Sequence, residues 1–202
     1  GMLLDPAEVT NERGIIFSEK RARDGVDFRT QLAEYAFILP EALPPKRFPI
    51  GTDETLQAAT AERLSGFYRR WYRPDNMAVV IVGDIEPAAA IQLIEEIFSP
   101  LASPGPLPER ANRGRVAHLE EPQALVHREV EASTVTVALT VCAPYTKQPD
   151  SVAERLRTLP RDLAHAIFNR RLDRLAKKED APFTSAGANV GDAFDFATIA
   201  SL

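Results

Sequence analysis

One stretch restricts the fold more than any other: residues 60–98, where a helical pattern gives way to a continuous apolar run and then returns. Thr60 is placed to cap a helix whose apolar face has the i, i+3, i+4, i+7 spacing, formed by Leu64, Phe67, Tyr68 and Trp71. The run Met77–Val82 is short and apolar throughout, which predicts a buried strand. Pro87 begins a second helix, Ala88–Phe98. The fold must therefore combine both element types.

The rest of the chain mixes helices and strands without a regular rhythm. We predict helices from Asp5 to about Arg23, over residues 28–38, and over residues 150–178 with an interruption at Pro160. Alternating or apolar segments predict strands at Ala124–Glu131, Thr134–Val141 and within Phe183–Leu202. Ser99–Arg115 is rich in proline, glycine and arginine and is the best linker candidate. This order favours an α+β fold with an antiparallel sheet and packed helices.

Composition excludes several classes of function. The chain has 202 residues, of which 45% are hydrophobic and 26% charged, as in an ordinary globular protein. Its net charge of -5 and the lack of a basic stripe argue against nucleic acid as a partner. No segment approaches the ~18 consecutive apolar residues of a membrane span.

Common catalytic motifs are missing from the sequence. It has no glycine-rich phosphate loop and no G-x-S-x-G turn. None of His118, His127 and His165 stands four residues from another, so neither H-E-x-x-H nor H-x-x-E-H occurs, and we interpret all three as surface residues. Cys142 ends an apolar alternating run, which favours a small buried side chain over a nucleophile. A metal site built from this chain alone is not expected.

The first helix carries a row of carboxylates. Glu8, Glu12 and Glu19 share one face, because Glu12 and Glu19 are seven residues, or two turns, apart. Spacing alone favours a solvated face balanced by the neighbouring basic residues Arg13, Lys20, Arg21 and Arg23.

Three segments resemble the pitrilysin/insulinase-type metallopeptidases. Glu12–Glu19, ERGIIFSE, is similar to the E-R-G-x-x-x-x-E helix of that family. Phe67–Ile85 is similar to its F-Y-x-x-x-Y-x-P-x-N-M motif followed by an apolar strand and G-D, and this is the more specific match. Asn169–Leu172 is a weaker match to a helix end that precedes a late strand. Together the matches cover most of the chain.

The resemblance implies a zinc site shared with residues outside this chain. In the family, two histidines and the general-base glutamate belong to an H-x-x-E-H helix, and a distant glutamate is the third zinc ligand. Here Glu19 corresponds to that ligand and Glu12 to a supporting carboxylate. The histidine helix is expected before Gly1, so zinc is expected in the full-length parent and not in this chain alone. A naturally inactive paralogue would show the same pattern.

The resemblance also implies a domain organisation and partners. Residues 1–55 would be the C-terminal part of the catalytic unit, and residues 56–202 the following metallopeptidase-like domain, with its closing element expected beyond Leu202. The parent would be a zinc metalloendopeptidase acting on peptides or unfolded polypeptides, assembled with its remaining domains or a homologous subunit. The alternative is a non-catalytic module that only shapes the substrate chamber. Bacterial family members are often exported, which makes the periplasm a candidate compartment beside the cytoplasm.

Overall fold

The computed structural model describes residues 3–202 and contains both helices and a small antiparallel sheet, which confirms the predicted α+β class. The helices of eight or more residues are α1 (Pro6–Arg23), α2 (Val26–Ile38), α4 (Ala61–Trp71), α5 (Pro87–Phe98) and α6 (Val152–Ala176). The short helix α3 spans Asp53–Gln57, and single 3₁₀ turns lie at Pro44–Lys46 and Pro74–Asn76. The strands are β1 (Thr140–Pro144), β2 (Asn189–Ala193) and β3 (Ala197–Ser201).

Side-chain caps fix where the main helices begin. The amide of Ala7 donates to Asp5 Oδ1 at 2.7 Å at the start of α1. Thr60 accepts from the amide of Arg63 at α4 and Ser151 from that of Glu154 at α6. These oxygens satisfy amides that have no partner within the helix, which is why polar residues mark helix starts. The predicted interruption at Pro160 is wrong, because α6 continues through that residue.

The chain divides into two compact units that alternate along the sequence. Unit 1 contains the described residues through Arg23 together with Pro49–Ala111, and unit 2 contains Asp24–Phe48 together with Asn112–Leu202. Unit 1 therefore holds α1 and α3 to α5, whereas unit 2 holds α2, α6 and the sheet. The boundary near residue 55 that the resemblance implies stays a prediction. None of the helices within residues 3–202 is long and apolar enough to cross a membrane.

Unit 2 is organised around the sheet, whose strand order is β1-β3-β2 with both pairs antiparallel. The β2–β3 turn places Phe194 at φ 60° and Asp195 at φ 48°, and the amide of Phe196 donates to the carbonyl of Ala193 at 3.0 Å. Two positive φ values in succession match the right-handed twist of a hairpin. The turn folds Phe194 against Tyr35 of α2, with ring centroids 5.1 Å apart, beside a small core of Leu39, Ala42 and Ala197.

Two of the predicted strands do not form, and a third forms only at its end. Met77–Val82 has no paired strand, and Val80 and Val82 are 81% and 91% exposed. Residues 124–131 also have no strand pairing, and of Thr134–Val141 only the last two residues belong to β1. A strand needs a neighbour to satisfy its backbone groups, and unit 1 supplies only helices within its described residues. Apolar character alone cannot provide that neighbour.

Only glycine fits position 114, where the backbone runs close to the turn that follows α2. It has a φ of +81°, forms an isolated bridge with Ala42, and any Cβ there would overlap the carbonyl oxygen of Glu41. We expect Gly114→Ala to lower the free energy of unfolding of unit 2 by at least about 2 kcal/mol, because strain at positive φ adds to the overlap. Gly191→Ala is the control in the same unit, since a Cβ at Gly191 of β2 would have open space around it. Equal losses for both variants in denaturant titrations would contradict this account.

Asn169 ties α6 to the segment that enters β2. Its Nδ2 donates to the carbonyl of Ala188 at 2.9 Å, and its Oδ1 accepts from the amide of Ala188 at 2.7 Å. We expect Asn169→Asp to increase amide exchange across β2 at neutral pH, because a carboxylate keeps the acceptor but repels the Ala188 carbonyl. Arg170→Gln, one residue along the same helix, is the control. Unchanged exchange in Asn169→Asp would show that the two bonds do not hold β2.

Candidate functional site

Helix α1 buries one stripe and exposes another. Its half-buried positions have helical spacing and are Val9, Arg13, Ile16, Phe17 and Lys20. Glu12 and Glu19 are exposed, and each directly precedes a half-buried cation, Arg13 or Lys20. Successive residues on a helix are rotated by about 100°, so the two glutamates lie on the same side of the buried stripe. The predicted common face of Glu12 and Glu19 is therefore confirmed, with about 10 Å between them along the axis.

Glu19 is paired with a cation of its own helix. Its Oε1 lies 2.5 Å from Nη2 of Arg23, one turn later, and the two side chains are 45% and 61% exposed. Water screens such a pair, so the guanidinium is not held firmly and can leave the carboxylate. Arg23 also lies in the last turn of α1, where a cation is favoured by the helix dipole. Glu19 is thus an accessible carboxylate that already attracts positive charge.

The described residues supply a single candidate metal ligand rather than a complete site. A catalytic zinc ion needs three protein ligands, and within residues 3–202 no three His, Cys, Asp or Glu side chains come together. His118, His127 and His165 all belong to unit 2, whereas α1 belongs to unit 1. Within unit 2, His127 Nε2 lies 3.1 Å from Glu129 Oε1. Glu19 is an exposed carboxylate of α1, and a carboxylate oxygen is one of the donor types that zinc accepts.

Unit 2 contains an ion-pair network that the sequence did not predict. Arg29 of α2 donates to Glu129 at 3.0 Å and to Glu131 at 2.7 Å, and it also contacts Asp24. The hydrogen bond from Arg29 holds the pKa of Glu129 below its usual range, and the hydrogen bonds that Arg29 donates to Glu129 and Glu131 raise the pKa of Arg29. Every charge in this network is paired, so we interpret the network as a structural link between α2 and residues 129–131.

Cys142 does not have the surroundings of a nucleophile. It is half-buried in β1, and burial, followed by the nearby charge of Glu34, raises the pKa of its thiol. A reactive cysteine needs a lowered pKa, because the thiolate is the nucleophile. The structure therefore supports a packing role for this side chain.

Arg73 is the most deeply buried charged side chain of unit 1, at 3% exposed. Its guanidinium donates to both carboxylate oxygens of Asp75, at 2.5 and 2.8 Å. It also donates to three consecutive carbonyls of the predicted linker, those of Pro104, Gly105 and Pro106. Ser103 Oγ completes the cluster by donating to Asp75 Oδ1 at 2.7 Å. Arg73 thus holds residues 103–106 against the turn that follows α4.

The turn after α4 also lies within the segment that matches a known family. The family described as "Peptidase M16 inactive domain" matches residues 58–178, which is more than half of the chain. The chain belongs to this family. Its M16 match begins just before α4 and ends just after α6, so it includes the Arg73 cluster but not α1.

Relatives of this M16 chain carry the names of zinc proteases. "Probable zinc protease PqqL" of Escherichia coli K12 is 40% identical over 94 residues, which are 46% of this chain and 10% of the relative. "Zinc protease PQQL-like" of Arabidopsis thaliana is 26% identical over 181 residues, 87% of this chain and 18% of the relative. The chain therefore spans between a tenth and a fifth of the length of these two relatives.

A solved structure confirms the fold over nearly the whole chain. The first half of the periplasmic protease PqqL from Escherichia coli is similar with a TM-score of 0.73 and 25% sequence identity. The match covers 98% of this chain and 42% of that one. The predicted resemblance to the pitrilysin/insulinase-type metallopeptidases and the α+β half-domain fold are thereby confirmed.

Proposed function

We propose that this chain is a portion of a zinc-dependent metalloendopeptidase that hydrolyses peptides or small unfolded proteins. In this proposal Glu19 is the third zinc ligand and Glu12 a supporting carboxylate, while the two histidine ligands and the general base belong to other residues of the same protein. The observation that carries the proposal is the exposed carboxylate of Glu19, located on a helix ahead of an M16 domain. The chain alone is inactive.

The residues of α1 have separate tasks in this proposal. Zinc, when bound, polarises the scissile carbonyl as a Lewis acid. Glu19 would help to hold the ion by supplying a negatively charged carboxylate, in place of its ion pair with Arg23. Glu12, two turns earlier, is too distant along the axis to share one oxygen position with Glu19, so it acts by accepting a hydrogen bond from a group near the ion.

The remaining domains are the partners we propose. Residues 1–55 complete a catalytic unit, and residues 56–202 form the domain that follows it and lines the substrate chamber. A peptide in the chamber contacts both. PqqL is described as periplasmic, which supports the periplasm as the compartment of this protein as well.

Zinc analysis tests the proposal. The longer protein should retain about one zinc ion per molecule after dialysis and cleave an unstructured peptide, with both properties lost to a chelator. The isolated chain should do neither. Tight zinc binding by the isolated chain would place the metal elsewhere and contradict the assignment of Glu19.

A second function is favoured by the description of the matched domain as inactive. In this alternative the protein only shapes a chamber for a catalytic partner. A longer protein that holds no zinc and cleaves nothing, but restores cleavage when added to a homologous zinc-bearing subunit, would establish this alternative.

A further inference from the structure

We propose that Arg13 and Lys20 are positioning residues, which set the rotation of α1 about its own axis and thereby the direction in which Glu19 points. This inference rests on the proposed function for its link to zinc, but its structural part stands on contacts within unit 1. Both residues anchor α1 to the short helix α3 and to the turn that follows it.

Arg13 holds the end of α3. Its Nη1 donates to the carbonyl of Gln57 at 3.1 Å and to that of Ala59 at 3.2 Å. The carbonyl between them, that of Ala58, accepts from Arg63 Nη1 at 3.0 Å. The last carbonyls of a helix have no partner within it and carry partial negative charge, so two guanidinium groups are well matched to this position.

Lys20 holds the start of α3. Its Nζ lies 2.5 Å from Oδ1 of Asp53, the first residue of that helix. Asp53 is itself fixed by the capping box that Thr52 and Thr55 form. The Lys20 side chain is 26% exposed. The guanidinium of Arg23, which pairs with Glu19, is more than twice as exposed, at 61%. The ammonium is therefore better shielded than that guanidinium, whereas the carboxylate of Asp53, 61% exposed, is less shielded than that of Glu19, 45% exposed.

Two anchors at opposite ends of α3 restrain rotation, which one anchor would not. Arg13 and Lys20 are seven residues apart, about 10 Å along α1, and lie on one face with half-buried Ile16 and Phe17 between them. Each directly follows a glutamate, so fixing the two cations fixes Glu12 and Glu19 at the same angular offset of about 100°. The sequence pattern E-R-x-x-x-x-x-E-K thus pairs each carboxylate with an anchor.

Such restraint matters to a metal ligand. A ligand must be held to within about 0.5 Å and 10–20° of its working geometry. The Glu19 side chain is long and exposed, so its backbone supplies the only restraint that the described contacts show, apart from the weak pair with Arg23. Arg13 and Lys20 act on the metal through this backbone without touching it.

Distance measurements between spin labels test the inference in the full 202-residue chain. In a Cys142→Ala background, one label at Ile15→Cys reports the glutamate face of α1 and a second at Glu62→Cys reports α4, both in unit 1 and both exposed in the native chain. We expect a narrow distance distribution that widens at least about twofold in Arg13→Gln/Lys20→Gln, because the contacts that fix α1 against α3 are gone. An unchanged distribution in this double variant overturns the inference.

The control is Arg21→Gln, which leaves the distribution narrow, because within residues 3–202 Arg21 donates only to Ser18 of its own helix, at 3.0 Å. Reversing the ion pair with Lys20→Asp/Asp53→Lys separates positioning from mere stability. We expect the reversed pair to restore the narrow distribution that Lys20→Gln loses. If the double glutamine variant loses helix content by circular dichroism, the reversed pair decides: a distribution as wide as that of Lys20→Gln overturns the inference.

Zinc affinity separates this inference from the proposed function. In the longer protein, Arg13→Gln/Lys20→Gln should weaken zinc binding by about 10–100-fold, as loss of outer support typically does. A widened distance distribution with unchanged zinc affinity would leave the anchoring in place and overturn Glu19 as the ligand.

Discussion

Replacing Glu19 by glutamine in the zinc-bearing longer protein is expected to weaken zinc binding by more than about 100-fold, beyond the usual effect of an outer partner. The amide keeps the shape of the side chain but removes the negative charge that a hard oxygen ligand supplies. Peptide cleavage should fall with zinc occupancy and recover in part at high zinc concentration. Chelator competition gives the affinity, and cleavage of a fluorogenic peptide gives kcat/KM.

Two further substitutions on α1 should affect zinc binding less than Glu19→Gln does. Glu12→Gln should weaken zinc binding by about 10–100-fold, because it removes a supporting carboxylate rather than a ligand. Glu8→Gln should change neither affinity nor kcat/KM, since Glu8 is an exposed residue near the start of the helix, without a role in the proposed site. Equal effects at all three positions would mean that α1 contributes only general negative charge.

Arg73→Met should lower the free energy of unfolding of unit 1 by about 1–3 kcal/mol, because removing the buried guanidinium leaves the carbonyls of residues 104–106 without their donor, whereas Asp75, 36% exposed, regains water. The variant loses the paired bonds to Asp75 and those to the carbonyls of residues 104–106. The single tryptophan of the chain, Trp71, lies in α4 of the same unit, so its fluorescence reports this transition directly. Arg69→Met, an exposed change on the same helix, is the control.

The conservative change Arg73→Lys separates charge from geometry. A lysine keeps the positive charge but cannot present the planar fork that reaches Asp75 and the linker carbonyls together. We expect stability between those of the native chain and Arg73→Met. A native-like transition for Arg73→Met would show that residues 103–106 are held by other contacts.

The same cluster makes the stability of unit 1 depend on pH. The hydrogen bonds from Arg73, and then from Ser103, hold the pKa of Asp75 below its usual range. A carboxyl with a lowered folded-state pKa stabilises the fold above its unfolded pKa of about 4, and this contribution is lost as pH falls through the folded value. The stability difference between the native chain and Asp75→Asn should therefore shrink as pH falls below about 4. A difference that is constant from pH 7 to pH 3 would contradict this.

Local signals predicted most of the helices, because their caps and periodicity act over a few residues. Asp5 and Thr60 each mark a helix start within one residue of its observed position, and the start predicted at residue 150 lies two residues before α6. The strands depended on distant neighbours, so the apolar character of Met77–Val82 predicted a pairing that the described structure does not contain. The interruption predicted at Pro160 was wrong for a local reason. Proline removes one helical hydrogen bond, but the helix on both sides is long enough to continue.

The sequence proposed the carboxylates of the candidate site but not the contacts that support their helix. The motif at residues 12–19 singled out Glu12 and Glu19 by resemblance alone. Arg13 and Lys20 looked like charge balance, because their partners are backbone carbonyls and a carboxylate 33 to 46 residues away. Arg73 was missed for the same reason, since its linker carbonyls lie 31 to 33 residues away. Contacts at such separations depend on the tertiary fold and leave no periodic pattern in the sequence.

The central claim is that Glu19 binds the zinc ion of the longer protein. Anomalous diffraction at the zinc absorption edge, from crystals of that protein, tests it directly by locating the metal against α1. Our account predicts one carboxylate oxygen of Glu19 at about 2.0–2.2 Å from the ion, with two histidine nitrogens beside it. An ion bound elsewhere, with Glu19 still paired to Arg23, would contradict the account.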